Sequence, residues 1–339
     1  MELIDFSKNK DSFEEIKNIE SILLWGDPNA IPDAEITICI PTYKRPKLLK
    51  EAIESAIKQE TNIPYRIIVV DNDDDFKNDE NLRVIESFND IRISYYKNKK
   101  NLGMFGNCNR CGELATTKWF ALLHDDDFLK SNYINEVSKF LLKYKENIDL
   151  LILNMEHINY PFLRENNGNK KKKIVKLLKA VKGAIKNILS LFTHKITRIP
   201  VSSNMFLGNV YGPPTCGMLF KKLTFLESGG FNKDYYPSSD WFFLIYFSKK
   251  YKVLKLKKYL GYYRWEDNES LKKETLEAFK KQREECIVSL SSNFLFCKII
   301  YLIFKKDFIK IFNSNTIDII KHTIFYSLIQ KYYIIILFV

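Results

Sequence analysis

Glycine is scarce, with 12 positions in 339 residues, and none of it is arranged as Gly-x-Gly-x-x-Gly or as a Walker loop. A backbone approaches a dinucleotide or a nucleotide phosphate closely only where side chains are missing, so Rossmann dehydrogenases and P-loop enzymes are excluded. Cysteine is equally thin. Of six residues only Cys108 and Cys111 form a Cys-x-x-Cys pair, and no second pair or histidine cluster completes a zinc site, which leaves ordinary reduced thiols. No run approaches the roughly 18 uninterrupted apolar residues of a membrane span; the longest candidate, Tyr332 to Val339, has eight. The Met-Glu-Leu-Ile-Asp start lacks the basic-then-apolar form of a signal sequence, so the expected location is cytoplasmic. Disorder and low complexity are excluded by what is present, 46% hydrophobic and 14% aromatic residues.

Positive charge is the one surplus, and it is local. Ten of the net twelve positive charges fall between Lys170 and Arg198, a stretch without a single acid. Nucleic-acid binders usually spread Lys and Arg over a binding face, so no nucleic-acid partner is expected.

Residues 1–34 read as an accessory segment, a charged helical stretch followed by Ile22-Leu23-Leu24-Trp25 and a Gly-Asp-Pro-Asn turn. Ile36 to Ile40 is then a short β-branched run stopped by Pro41, and Leu48, Leu49, Ala52, Ile53, Ala56 and Ile57 follow at helical spacing. Tyr65 to Val70 is a second continuous apolar strand, ending in Asp71-Asn72-Asp73-Asp74-Asp75. Strand, helix, strand with continuous apolar strands predicts an α/β fold around a mostly parallel sheet covered on both faces. Ile91 to Tyr96 and Trp119 to Leu123 add strands, the latter running into His124-Asp125-Asp126-Asp127. Polar residues gather at the carboxyl ends of the strands, the edge where open α/β sheets bind ligands.

Acid therefore stands where a nucleotide-binding sheet would carry glycine. Carboxylates repel phosphate unless a divalent cation lies between them, so Asp125-Asp126-Asp127 suggests a metal and diphosphate site. The same acids can serve simply as a helix N-cap before Phe128-Leu129.

Taken in order, these elements resemble a family 2 glycosyltransferase of GT-A fold, Rossmann-like with flanking helices. The resemblance rests on Ile40-Pro41-Thr42-Tyr43-Lys44-Arg45-Pro46, Val69-Val70-Asp71-Asn72, Asn101-Leu102-Gly103 with Asn109, and Leu123 to Asp127. It continues through Gly229-Gly230-Phe231, Ser239-Asp240-Trp241 and Tyr263-Arg264 to Asn268-Glu269-Ser270, covering about residues 35–270. It implies an inverting transfer of sugar from a nucleotide-diphosphate donor to an acceptor hydroxyl. Pro41, Thr42 and Tyr43 are implied beside the nucleoside, Asp71 and Asn72 near the base, and Gly103 where the chain passes the nucleotide. His124 takes the first position of the family's Asp-x-Asp element and Asp126 its metal-bearing position; Asp127 is the second metal candidate, for manganese or magnesium, and Asp125 lies near the ribose. Asp240 is the implied base, with the N-cap as its other reading beside Ser238 and Ser239. Arg264 is the leading cation for the departing diphosphate, followed by Arg45 and Lys44. Two departures stand out: Asn72 where many members carry a second acid, and Ser239 where a Glu usually precedes the base.

The implied catalytic domain, residues 35–270, divides into a nucleotide-sugar half at 35–130 and an acceptor half at 131–270. Inside the latter, residues 169–200 form a basic insertion. There Ile174, Leu177, Leu178, Val181, Ile185, Ile188, Leu189 and Phe192 recur at spacings of three and four between lysines, the pattern of a cationic amphipathic helix. Such a helix suits an anionic membrane surface, or packs on its own protein as a lid. The 271–339 tail is read as helical, either membrane-associated or a homodimer interface. Together these features describe a cytoplasmic enzyme peripheral on the inner face of the membrane, using a nucleotide-sugar donor and a glycan or lipid-linked acceptor in bacterial surface polysaccharide synthesis, such as capsule or O-antigen. The alternatives are a soluble transferase acting on a protein or small acceptor, and a non-catalytic binding protein for sugar nucleotides or nucleic acid.

Overall fold

Strands β2 (Ile36–Thr42) and β3 (Tyr65–Asp71) are buried almost throughout, as befits strands covered on both faces. They pair in parallel from Ile36 opposite Tyr65 to Thr42 opposite Asp71. The computed structural model describes residues 4–144, 147–158, 196–198, 215–265 and 271–291. The basic insertion, apart from the backbone of 196–198, and the tail beyond 291 lie outside the described residues.

Strands β4 (Ile93–Asn98) and β5 (Trp119–Leu122) extend the parallel set to either side of β3 and β2. The N-terminal segment is less separate than its composition suggests. Its helix α1 is a single turn (Phe13–Ile16), and β1 (Ser21–Trp25) pairs antiparallel with β4 as the edge of the sheet. On the other side β9 (Leu219–Lys221) lies antiparallel between β5 and β7 (Leu150–Ile158). β10 (Val253–Arg264) then runs parallel to β7 and antiparallel to β6 (Phe128–Leu129) and β8 (Ile196–Arg198). Continuous parallel order is thus confined to β4, β3, β2 and β5, and β9 is the seam where a mixed second half attaches.

Alternation along β2 divides the core. Ile36, Ile38 and Ile40 face helix α2 (Pro46–Ile57), which starts on a proline and buries Leu49, Ala52, Ile53 and Ala56. Helix α5 (Tyr133–Tyr144) and Ile85 of α3 (Glu80–Phe88) share that layer. Cys39 points the other way, into a layer with Cys108 and Cys111 of helix α4 (Gly103–Leu114) and Phe225 of α6 (Lys222–Glu227). That second layer is largely aromatic: Phe120, Phe220, Phe225, Phe231 and Phe243 pack with ring centroids 4.7–6.2 Å apart. Helix α7 (Ser239–Lys250) is buried on every side from Trp241 to Phe247. Phe243 and Phe247 join the aromatic layer, while Trp241, Phe242 and Ile245 meet Phe6 and Cys286 of helix α8 (Lys273–Ser291). A helix apolar all round is a fixed pillar. Its first turn carries Asp240.

Candidate active site

The carboxyl ends of β2 and β5 meet through side chains. Thr42 Oγ1 donates to Asp125 Oδ2 at 2.8 Å, and Arg45 Nη1 reaches Asp125 Oδ1 at 3.4 Å and Asp126 Oδ2 at 3.1 Å. Arg45 is placed there because Lys44 turns the chain with a φ of 53°, so that α2 begins directly after it. Burial and then the charge of Asp126 push the Asp125 carboxyl up to about 6, against the opposing pull of Arg45 and Thr42. Asp126 is also raised, by burial and then by Asp127. His124 Nε2 lies 2.9 Å from Thr215 Oγ1, and its Nδ1 lies 3.3 Å from Asp127 Oδ2. Burial disfavours the imidazolium, but Asp127, Asp126 and Asp125 outweigh it and hold the His124 pKa up to about 8.

Two residues expected at the base turn inward instead. Asp71 is 0% exposed, and its carboxylate accepts from Asn81 Nδ2 at 3.0 Å, Tyr95 Oη at 2.7 Å and the Asp73 amide at 2.9 Å, with Lys97 Nζ 3.8 Å away. Asn72 spends its amide on Asn101 Oδ1, Asn98 Nδ2, the Leu102 amide and the Gly103 carbonyl. Both side chains therefore build the rim of the cleft. Gly103 adopts φ 73° with open space where a Cβ would stand, so backbone conformation is what demands glycine there. The group left facing out on the β2 side is Tyr43, 45% exposed, beside Lys44, which pairs with Asp73 at 3.5 Å. Pro41, by contrast, lies within β2, paired with Val70.

Asp240 lies within electrostatic reach of the acidic motif. Its charge reaches His124, and Asp240 and Asp125 both act on the Cys108 thiol of α4. Burial raises its carboxyl to about 6, opposed by a hydrogen bond from the Trp241 amide and by His124. The second half is pinned in place by Asn109 of α4: its Nδ2 donates to the Phe231 carbonyl at 2.9 Å and its Oδ1 accepts from the Phe231 amide at 2.8 Å. Gly230 is required at that junction, since a Cβ would lie 2.6 Å from Asn109 Oδ1. The Ser238 and Ser239 hydroxyls are buried without hydrogen-bond partners, and Ser238 makes no side-chain cap to α7.

Arg264 is placed differently from the expectation. Its backbone amide donates to Asp127 Oδ1 at 2.7 Å, while its guanidinium pairs with Glu51 of α2 and lies over the Phe128 ring. Among the described residues, the guanidinium on Asp125 and Asp126 is that of Arg45. Thr215, the His124 partner, belongs to Gly212-Pro213-Pro214-Thr215-Cys216-Gly217, a stretch whose sequence reads as lining for the acceptor site and not as a partner of the acidic motif, 91 residues away from His124. The Tyr95, Lys97, Asp79 and Asn81 network under Asp71 also escaped, because each member alone reads as an ordinary strand or helix residue.

Could these residues hold a divalent cation? His124, Asp126 and Asp127 offer ligand atoms that all lie within 4.8 Å of one another. Asp127 Oδ2 is buried and meets His124 Nδ1 at 3.3 Å without a well-formed hydrogen bond, which leaves this carboxylate oxygen able to take a cation. One imidazole and two carboxylates is a donor set suited to manganese and, less well, to magnesium. The residues fit.

A mixed sheet flanked by helices, with acids gathered at the ends of its parallel strands, is the GT-A fold. The fold is shared with the S. aureus TarS 1–349 crystal structure in complex with UDP-GlcNAc, at a TM-score of 0.53 and 14% identity over 76% of this chain and 66% of that one. Residues 37–186 match the model of Glycosyl transferase family 2. Among curated relatives, the uncharacterized glycosyltransferase MJ1057 of Methanocaldococcus jannaschii is 30% identical over 158 residues, 46% of this chain and 50% of that protein. WfgD of Escherichia coli, a UDP-Glc:alpha-D-GlcNAc-diphosphoundecaprenol beta-1,3-glucosyltransferase, is 29% identical over 127 residues, 38% of this chain and 48% of that protein. The chain thus spans about half the length of these relatives.

Proposed function

We propose that the protein is an inverting glycosyltransferase that moves a sugar from a nucleotide-diphosphate donor to the hydroxyl of a glycan or lipid-linked acceptor in surface polysaccharide synthesis. The observation that carries this is Asp240, a carboxylate fixed in the first turn of a buried helix and within electrostatic reach of the acidic motif, in a chain whose residues 37–186 match the family 2 model. A hydroxyl is a poor nucleophile near neutral pH, and a carboxylate with a pKa of about 6 is ionised there yet basic enough to take its proton. As Asp240 accepts that proton, the acceptor oxygen bonds to the anomeric carbon, and the bond from that carbon to the diphosphate breaks on the opposite face. The nucleoside diphosphate leaves with the electron pair, and the configuration inverts.

Asp126 and Asp127 would hold a divalent cation, which when bound supplies positive charge to the diphosphate. Arg45 is the protein cation for the same oxygens, and Tyr43 offers the base an exposed ring to stack on. Asp125, tied to Thr42, is the acid closest to the β2 turn and is assigned to the ribose. WfgD acts on a lipid-linked acceptor, and the basic 169–200 segment suits a protein peripheral on the cytoplasmic face of an anionic membrane. Among the described residues no helix is long and apolar enough to cross a membrane. The test is a donor screen on the full chain, read as nucleotide release with manganese present. UDP-sugars go first because WfgD uses UDP-Glc. Release from one donor class, dependent on Asp240, is expected; no release from any nucleotide-diphosphate sugar would overturn the reading.

A further inference from the structure

We propose that residues 4–16 are a strap that positions Asp240, so that Phe6 and Asn9 govern transfer without touching substrate or the reacting atoms. This rests on Asp240 as the base and adds the element that sets its place. Residues 1–34 read as an accessory segment in the sequence, yet the first of them grip the chain that leads into α7. Three consecutive main-chain carbonyls there are taken by the strap. Asn9 Nδ2 donates to the Ser228 and Gly230 carbonyls at 2.9 and 2.8 Å, and the Ser12 amide donates to the Gly229 carbonyl at 2.9 Å. The approach is close enough to demand glycine: Gly229 adopts φ 83°, and a Cβ on it would lie 2.5 Å from the Lys10 carbonyl oxygen. Farther along, Lys10 pairs with Asp234 at 3.0 Å and Glu15 with Lys233 at 3.1 Å. Phe6, 4% exposed, then shares a buried cluster with Trp241 and Phe242, the two residues directly after Asp240.

The start of α7 depends on such support. Ser238 makes no side-chain cap, and the Ser238 and Ser239 hydroxyls have no partner, so the helix does little by itself to fix its first turn. The fixing comes from outside. The Phe6 and Tyr235 rings lie on Phe242 with centroids 5.8 and 4.0 Å away, and the Ile4 amide donates to Ser289 Oγ of α8 at 2.9 Å. The other end of the strap is anchored in the nucleotide half, where Arg110 Nη2 of α4 donates to the Ile16 carbonyl at 2.8 Å and β1 beyond it pairs with β4. One short segment therefore runs from the parallel sheet to the base-bearing helix and holds the two in register. Close-packed contacts pass a displacement on, and a shift of about 1 Å in a reacting group can cost about 10²-fold in rate.

The experiment compares full-length variants below their melting temperatures. Nucleotide release is followed at saturating levels of a donor that responds in the screen, beside UDP binding by calorimetry and amide hydrogen exchange. Phe6→Ala and Asn9→Ala should each lower kcat about 10–10²-fold with UDP affinity unchanged. Amides of residues 228–250 should exchange faster in both variants, while those of β2 and β3 should not. Phe6→Leu, which keeps an apolar side chain beside Phe242, should recover most of the rate. Leu141→Ala opens a cavity in the layer of α5, far along the chain from both strap and base, and should lower the melting temperature but leave kcat as it is. If Phe6→Ala fails to fold, Asn9→Ala decides, because Asn9 is only partly buried. A wild-type kcat in folded Asn9→Ala, or a loss matched by Leu141→Ala, overturns the strap's role; with Asp240→Asn still inactive, the base assignment stands. Asp240→Asn at the wild-type rate overturns both.

Discussion

Two parallel strands, β3 and β5, end in acids at the same edge of one sheet, and the two ends have opposite characters. At β3, Asp71 is enclosed by more donors than it needs, with Asn81, Tyr95, Lys97 and a backbone amide around a single carboxylate. At β5, three carboxylates crowd together with one guanidinium, one threonine hydroxyl, one imidazole and the Arg264 amide, and Asp127 Oδ2 meets His124 Nδ1 at 3.3 Å without a well-formed hydrogen bond. A saturated acid holds a loop in shape. An undersatisfied acidic cluster stores electrostatic tension that a bound cation relieves, which is a recurrent mark of a functional site. Burial alone does not separate the two, since Asp71 and Asp127 are both almost fully enclosed.

The largest expected effect belongs to the group within electrostatic reach of the undersatisfied end. Asp240→Asn should lower transfer by about 10²–10⁴-fold, the range for loss of a general base, with UDP binding by calorimetry unchanged. Lys97→Met attacks the saturated end. It leaves Asp71 and Asp79 buried around a missing cation, Lys97 itself being 1% exposed, and should cost about 3–5 kcal/mol in urea unfolding. Asp126→Asn is the contrasting change: it removes one of three crowded carboxylates, so the melting temperature should not fall, while manganese binding and about 10²-fold of activity are lost. If Asp126→Asn destabilises as much as Lys97→Met, the contrast between the two ends is wrong.

Smaller effects sharpen it. Arg45→Met should raise the donor KM about tenfold, whereas Arg264→Met, whose guanidinium is engaged by Glu51, should change KM less and stability more. The pH profile supplies the last. As the proposed base Asp240 would work ionised, and its carboxyl is raised to about 6, so kcat/KM should climb as pH rises through about 6. The groups facing it are His124 from the β5 end, Cys108 from α4 and the Trp241 amide of its own helix. A limb near the ordinary aspartate value would mean that this carboxylate is not the one titrating.

Much of this was legible in the residues. The runs at Ile36, Tyr65, Ile91 and Trp119 are strands within two or three residues of where they were read, because unbroken apolar runs flanked by turn residues have few other uses. His124 to Asp127 and Asp240 were found as motifs. What the sequence left open was the direction of side chains at strand ends. Asp71 and Asn72 precede the same kind of loop as the acids after β5, and only the neighbours brought by β4 and α3, Tyr95, Lys97 and Asn81, turn Asp71 inward. Arg264 was singled out as a cation, but its backbone amide is what touches Asp127, since β10 ends there in register with β7 and a main-chain donor falls opposite the buried carboxylate. The pairing of Thr215 with His124 had no local signal, because the two lie on different segments 91 residues apart.

The most direct test of a single base opposite a departing nucleotide is the configuration of the product. With a donor that responds in the screen, proton NMR of the transferred sugar should show the anomeric configuration opposite to that of the donor, formed by wild-type protein and lost with Asp240→Asn. A product that keeps the donor's configuration would contradict it.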